Sequence, residues 1–345
     1  MNKFKKNLVK LAILVAILLV IAVFVVYKIF FSANIEVTGK SAYLYIPTGA
    51  SIQNVVDSLQ KNKYLKSRKT FLLAAKIKHY DKTVKAGRYK IDSAETNWHL
   101  INKLRSGKQV PVKVYVPSVR TVDKMSIIVA KKLEFSSGQL SNLLHNADFI
   151  RKYNFNTQTV PAMFIPNTYE FYWNTSAKEF VDRMKREYNK FWTENRRQKA
   201  KKIGLTLTQV SILASIVQAE QLQHPDERPR IAGLYLNRLK KGIPLQSDPT
   251  IIFAIGDFSI KRVYKDMLKT KSPYNTYLFP GLPPGPILIP DVSSIDAVLN
   301  AEKNNYLYMC AKEDLSGYHH FSTNLTQHNM YAKKYYNILN KLGIR

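Results

Sequence analysis

The 345-residue chain is longer than one compact core usually accommodates, so two or three domains are expected. A single cysteine, Cys310, excludes an internal disulfide framework and a cysteine-based zinc cluster, and the seven histidines show no HExxH or paired-ligand spacing, so neither metal nor cofactor is expected. The formal charge of +29 points to a polyanionic partner: nucleic acid, acidic lipid headgroups or an acidic polymer.

The N-terminus chooses among these. Lys3, Lys5, Lys6 and Lys10 precede a stretch without charge from Leu11 to Tyr27. With its flank to Phe31, the apolar run reaches the ~20 residues needed to cross ~30 Å of hydrocarbon. The lysines hold their end in the cytoplasm, which puts the rest of the chain outside. A cleaved signal peptide is the alternative. The run is long for one, and no small-x-small cleavage site follows it. The reading is therefore a single-pass anchor in the cell (inner) membrane. An external body argues against nucleic acid and for an acidic envelope polymer.

After the anchor, "YLYIPTGASIQNVVDSLQ" predicts a strand, a turn and a helix capped by Ser51, with Ile52, Val55, Val56 and Leu59 as its buried stripe. A related pattern returns in "KVYVPSVRTVDKMSIIVAKKL", with Val122, Met125 and Val129 at matching intervals. Between them, "AGRYKI" predicts a strand and "TNWHLINKLRSG" a helix with Trp98, Ile101 and Leu104 inward and Gly107 at its end. These units resemble LysM-like modules, which bind glycan; a spacer without ligand fits the same pattern. "FIPNTYEFYW" is aromatic and turn-rich. "SAKEFVDRMKREYNKFW" predicts an amphipathic helix on Phe180, Val181, Met184 and Tyr188, and "RRQKAKK" a charged, solvated boundary.

Beyond it, "SILASIVQAEQ" predicts a helix in which Glu220 follows Ile216 and Val217 on the apolar face, while Gln218 and Gln221 point elsewhere. In the next helix, with Asp226 or Glu227 as cap and Pro229 in its first turn, Ile231, Leu234, Tyr235 and Leu239 form the core stripe. Asn237 and Arg238 lie at its edge, placed either to reach a cleft or to tie helices together. Asp248-Pro249 opens a further helix, with Asp248 read as an N-cap before a catalytic acid. The density of Pro and Gly in "SPYNTYLFPGLPPGPI" forbids regular structure. It makes a stiff loop presenting Tyr274, Asn275 and Tyr277, suited to stacking on sugar rings or to covering a core.

The segments "LASIVQAEQ", "ERPRIAGLYLNRLKKGIPLQSDPT", "SPYNTYLFPGLPPGPI" and "HHFSTNLTQHN" resemble the endolytic murein transglycosylase family, the YceG-like proteins. The resemblance implies an α+β chain: an N-terminal transmembrane helix, small LysM-like modules and a mainly helical, lysozyme-like catalytic domain. The boundaries expected are a cytoplasmic tail over 1–10, the membrane helix over 11–31, a linker over 32–40, a LysM-like domain over 41–110, a second module with connecting helices over 111–200 and the catalytic domain over 201–345. It also implies internal cleavage of peptidoglycan glycan strands, a role in cell wall biogenesis and chain termination, and cell-wall synthesis proteins as further partners.

The family's catalytic glutamate lies in a pattern like "SIVEKET", whose second acid falls on Glu220; Gln218 stands for the first acid and Gln221 for the threonine. Asn324 and Gln327 replace the usual Thr and Glu of "FS.T..EHN". The same blocks imply substrate contacts from Asn237, Arg238, Gln246, Ser247, Asp248, Tyr274, Asn275, Tyr277, His320 and Ser322. Burial of Glu220 would keep its proton toward neutral pH, as a general acid requires. In the family's chemistry the muramic acid C6 hydroxyl attacks C1, so a single carboxylate suffices. Two alternatives stand beside it: a hydrolytic muramidase using Asp248 or Glu227 as second acid, and a non-catalytic, membrane-tethered glycan binder in which Glu220 is structural.

Overall fold

A computed structural model of the chain describes residues 3–342. The extreme ends of the expected cytoplasmic tail and catalytic domain, residues 1–2 and 343–345, lie outside the described residues. The chain divides into two compact units. One takes residues up to Lys113 with 132–134 and 170–175; the other takes 114–131, 135–169 and 176 onward.

The first unit begins with α1 (Lys3–Phe30), whose most apolar stretch has a mean hydropathy of 3.2, which makes it the one described helix long and apolar enough by itself to cross a membrane. Then follow β1 (Ser41–Ile46), α2 (Ile52–Lys61), α3 (Arg68–Ile77), β2 (Gly87–Asp92) and α4 (Asn97–Ser106). β1 and β2 pair antiparallel, Ser41 opposite Asp92 and Ile46 opposite Gly87. Strand alternation sends Leu44, Ile46, Tyr89 and Ile91 inward against Val55, Val56 and Leu59 of α2 and Phe71 of α3. Ser51 caps α2 in a capping box with Asn54, Thr96 caps α4, and Gly107 ends α4 in the left-handed region. One expected inward residue differs. Ile101 and Leu104 are buried, but Trp98 is 37% exposed and Leu100 takes the inward place. The buried stripe of α4 is Asn97, Leu100, Ile101 and Leu104, which leaves Trp98 at its edge. Residues after α1 are pinned at two bridges, Ala33 to Thr96 and Ile35 to Leu65.

The second unit takes β3 (Val112–Val116) from Val114 on, α5 (Val122–Ala130), α6 (Ser137–His145), α7 (Ala147–Arg151) and β4 (Asn167–Phe171) as far as Tyr169, with β3 paired to β4. Strand, helices and returning strand thus recur in the order of β1 to β2. Next come α8 (Ala177–Phe191), with the four expected apolar residues buried, and α9 (Glu194–Lys202). The charge run "RRQKAKK" is helical, with Arg197, Gln198, Lys201 and Lys202 exposed. α13 (Val292–Leu299) holds it: Arg196 forks onto Asp296 at 3.1 and 3.0 Å, and Lys199 donates to Asn300 just beyond that helix at 2.6 Å. Arginine's planar fork lets a charged face pack.

At the centre of this unit stands α10 (Leu207–Glu220), capped by Thr206 and Gln209. The sequence suggested one oily face, yet every residue from Val210 to Gln218 is buried. α9, α11 (Arg228–Lys240), α12 (Asp248–Ile255) and α13 all pack on it. Gly233 brings α11 against a neighbouring backbone, since a Cβ there would stand 2.2 Å from the Glu302 carbonyl oxygen. The antiparallel pair β5 (Tyr308–Ala311) and β6 (His319–Ser322) and the helix α14 (Leu325–Lys341) complete the unit. Asn324 caps α14, accepting from the Gln327 amide at 2.9 Å, so Asn in place of the family's Thr keeps that helix start.

Candidate active site

Glu220 is the last residue of α10, where the helix leaves the core and opens onto a cleft of about 470 Å³. Tyr235 and Arg238 of α11, Asp248 and Tyr277 line the cleft with it, and His319 lines it from β6. Two hydroxyls converge on one carboxyl oxygen: Tyr235 OH donates to Glu220 Oε1 at 2.7 Å and Ser247 Oγ at 2.5 Å. Oε2 makes no hydrogen bond to the described residues. Burial pushes the Glu220 carboxyl above its ordinary value, and the nearby Asp248 charge adds to this. The Ser247 and Tyr235 hydroxyls work against the rise without cancelling it. Tyr235 is itself held far above the ordinary phenol range by burial and by Glu220, so it remains a donor.

The neighbouring acids are engaged differently. Asp248 does not cap α12: Ser247 occupies the cap position, and Asp248 Oδ1 accepts from Tyr277 OH at 2.5 Å in the cleft. Glu227 does not cap α11 with its side chain. Its carboxylate accepts the His319 backbone N–H at 3.0 Å, contacts His319 Nδ1 at 2.7 Å and accepts from Gln221 Nε2 at 2.8 Å. Burial opposes ionisation of Glu227, but these bonds outweigh it and hold its carboxyl below the ordinary range. It is an ionised clamp on His319.

The other expected residues fall into two groups. Arg238 is buried, donates to the Leu245 carbonyl at 2.6 Å and to Gln246 Oε1 at 3.1 Å, and has no ionic partner among the described residues. Gln246 lines the cleft beside it from a left-handed backbone position, φ 54°. Five residues lie outside the cleft lining. Asn237 donates to the Asn304 and Tyr306 carbonyls at 2.9 and 3.1 Å, tying α11 to the segment before β5. Asn275 is fully buried and braces its own loop, donating to the Leu268 and Thr270 carbonyls at 2.9 and 2.8 Å. Tyr274 packs on Phe253 with ring centroids 4.7 Å apart. His320 contacts Glu313 at 2.6 Å and stacks on Tyr331, while Ser322 is buried. His319, not singled out from sequence, takes the cleft position. Alternation along β6 puts the two histidines on opposite faces, and the "HH" pair alone does not say which faces inward.

Gln218, at the position of the family's first acid, is a buried joint rather than part of the cleft. It donates to Ser118 Oγ at 2.9 Å and accepts the Asp291 N–H at 2.7 Å. No group of three or more His, Cys, Asp or Glu among the described residues could hold a metal ion.

Known proteins resemble this chain in sequence and fold. An endolytic murein transglycosylase of Bacillus subtilis (strain 168) is 31% identical over 306 residues, covering 84% of this chain and 83% of that protein. One from Streptococcus pneumoniae serotype 2 (strain D39 / NCTC 7466) is 26% identical over 322 residues, covering 85% of this chain and 58% of that longer protein. The crystal structure of a yceG-like protein from Listeria monocytogenes superimposes with a TM-score of 0.55 at 26% identity, over 85% of this chain and 99% of that one. The YceG-like family model matches residues 44–334, and the chain belongs to that family.

Proposed function

We propose that the chain is an endolytic lytic transglycosylase that cleaves the MurNAc–GlcNAc bond within peptidoglycan strands and leaves 1,6-anhydro-MurNAc ends. Its relatives carry the transglycosylase name, and one observation supports the mechanism. Glu220 has one oxygen saturated by two hydroxyl donors and the other turned to no described residue, in surroundings that favour the protonated acid. The proton then sits on Oε2 and passes to the glycosidic oxygen as the C1–O bond breaks. Tyr235 and Ser247 stabilise the carboxylate so formed. That carboxylate takes the proton of the C6 hydroxyl as its oxygen closes on C1, which restores the acid. Because the nucleophile belongs to the substrate, it is already close to its target and no water is activated.

In this reading α1 anchors the chain in the cell membrane, N-terminus inside and body outside. Residues 41–110 form a LysM-like glycan-binding domain and 111–200 a second such module with connecting helices, supported by the repeated order of strand, helices and strand, and 201–345 forms the catalytic domain. The net charge of +29 matches the free carboxylates of peptide stems. Retention of the detergent-solubilised chain on insoluble peptidoglycan should therefore fall steeply with salt. Salt-independent retention would remove charge from the account.

A hydrolytic muramidase is the second reading, because Asp248 lines the same cleft and could serve a water. Product mass decides between them. Transglycosylation gives fragments one water lighter than hydrolysis and without a reducing end, and Asp248→Asn should keep the anhydro product. Reducing ends that disappear in Asp248→Asn would replace the first reading with the second.

A further inference from the structure

The first unit carries an exposed apolar and basic surface that the cleavage chemistry does not use. On α3, Lys69, Leu73, Lys76 and Ile77 share one exposed helical face, with Leu73 45% and Ile77 53% exposed. Trp98 of α4 adjoins it. Its ring meets Phe30 at 5.9 Å and Phe31 at 5.6 Å, and Lys78 Nζ stands 3.3 Å from its centroid. Burial and the Arg105 charge both lower the Lys78 pKa. Among the described residues none of Lys69, Lys76, Lys78 and Arg105 forms an ion pair.

The end of α1 is fixed to this surface. Ile29 and Phe30 are buried against the unit, and α1 packs on α3 and α4. Buried Asn97 donates to the Ile29 carbonyl at 2.7 Å and accepts from Asn34 Nδ2 at 2.7 Å, while Asn34 Oδ1 accepts the Ser67 N–H at 2.7 Å. The apolar surface of α1 therefore passes through Phe31 and Trp98 to Ile77 and Leu73 across a braced joint rather than a loose tether.

We infer that this face lies on the outer membrane–water interface and engages anionic phospholipid headgroups, an inference that rests on α1 being the membrane anchor. Tryptophan and lysine beside a span's end are the residues that settle at the headgroup level, the ring in the apolar boundary and the ammonium toward phosphate. Unpaired lysines at a membrane surface favour anionic lipid. The consequence is a first unit held in one orientation at the membrane.

The full chain reconstituted in vesicles of phosphatidylcholine with or without phosphatidylglycerol tests this with brominated lipids, which quench nearby tryptophan. The chain has three tryptophans, and Trp98→Phe isolates the contribution of residue 98. Lipid brominated near the headgroup should quench the wild type measurably more than Trp98→Phe, and lipid brominated at the chain end should show little difference. Lys76→Glu with Lys78→Glu should reduce that quenching in the vesicles containing phosphatidylglycerol. A chain that floats with the vesicles and resists carbonate extraction, yet is quenched equally with and without Trp98, overturns the inference and leaves the anchor intact. A chain that carbonate extracts overturns the anchor and the inference with it.

Discussion

Glu220→Gln should lose glycan cleavage by a factor of about 10² or more, the range a positioned general acid supplies, and should unfold at a higher temperature than the wild type at pH 8. The two effects share one cause. The amide keeps the shape of the side chain: its oxygen can accept from Tyr235 and Ser247 as Oε1 does, and its NH2 takes the place of Oε2, but it has no proton to deliver. Stability follows from linkage. The folded-state pKa of Glu220 is raised by burial above that of the unfolded chain, about 4.3. The group's contribution is fully present below the unfolded value and is lost as pH rises through the folded one, because the unfolded chain then releases a proton that the folded state retains at a cost. Glutamine does not titrate. The two proteins should melt together near pH 4 and diverge as pH rises, with the variant the more stable. Wild-type cleavage should hold across most of that interval and decline only as pH passes the folded value, where Oε2 loses its proton and the stability difference levels off. Melting curves and product yields across pH 4 to 9 check both. A variant less stable than the wild type at pH 8 would mean that the carboxylate, not the acid, is the favoured form.

Periodicity and local chemistry made much of the fold readable in advance. The apolar run, the Ser51 cap, the Gly107 helix end, the strand in "AGRYKI" and the stripe of α8 are local signals, and each reappears in the structure. Glu220 was distinguishable because a carboxylate beside Ile216 and Val217 conflicts with its neighbours. What sequence could not give was the direction of polar side chains whose partners are distant in the chain. Asn275 reads as a sugar-binding amide, yet its own loop supplies two carbonyls and consumes it. Asp248 before a proline reads as a cap, but its carboxylate turns to a tyrosine 29 residues on. Gln221, where the family carries threonine, accepts the N–H groups of Gln223 and His224 and donates to Glu227 and the Gly317 carbonyl. A threonine side chain is too short for that span, so the departure here comes with its own set of bonds.

Arg228→Met should destabilise the protein from outside the cleft by about 3 kcal/mol, the low end for breaking a buried ion pair. Arg228 is buried at the start of α11, and its Nε donates at 2.8 Å to the carbonyl of Gln221, the residue that ends α10 after Glu220. From the other side of the fork, Nη1 reaches Asp291 Oδ2 at 3.1 Å and the Ser293 and Ser294 hydroxyls at 2.9 Å each, at the start of α13. One guanidinium thus joins three helix ends, and one of them carries Glu220. The low end of the range applies because Asp291 stays one-third exposed and keeps its cap bond from the Ser294 N–H at 2.6 Å. Removing the charge leaves the Asp291 carboxylate without its cation, so the double variant Arg228→Met with Asp291→Asn should recover part of the loss, since asparagine still caps α13. Arg228→Lys keeps the charge but cannot bond Gln221 and Asp291 at once. It should fold nearly as well as the wild type and cleave more slowly, with kcat falling more than KM changes, because the end of α10 is no longer held. Urea unfolding of the four proteins and cleavage rates for those that fold decide the matter. A Met variant within 0.5 kcal/mol of wild type, or a Lys variant of undiminished kcat, would show that Glu220 is positioned without this joint.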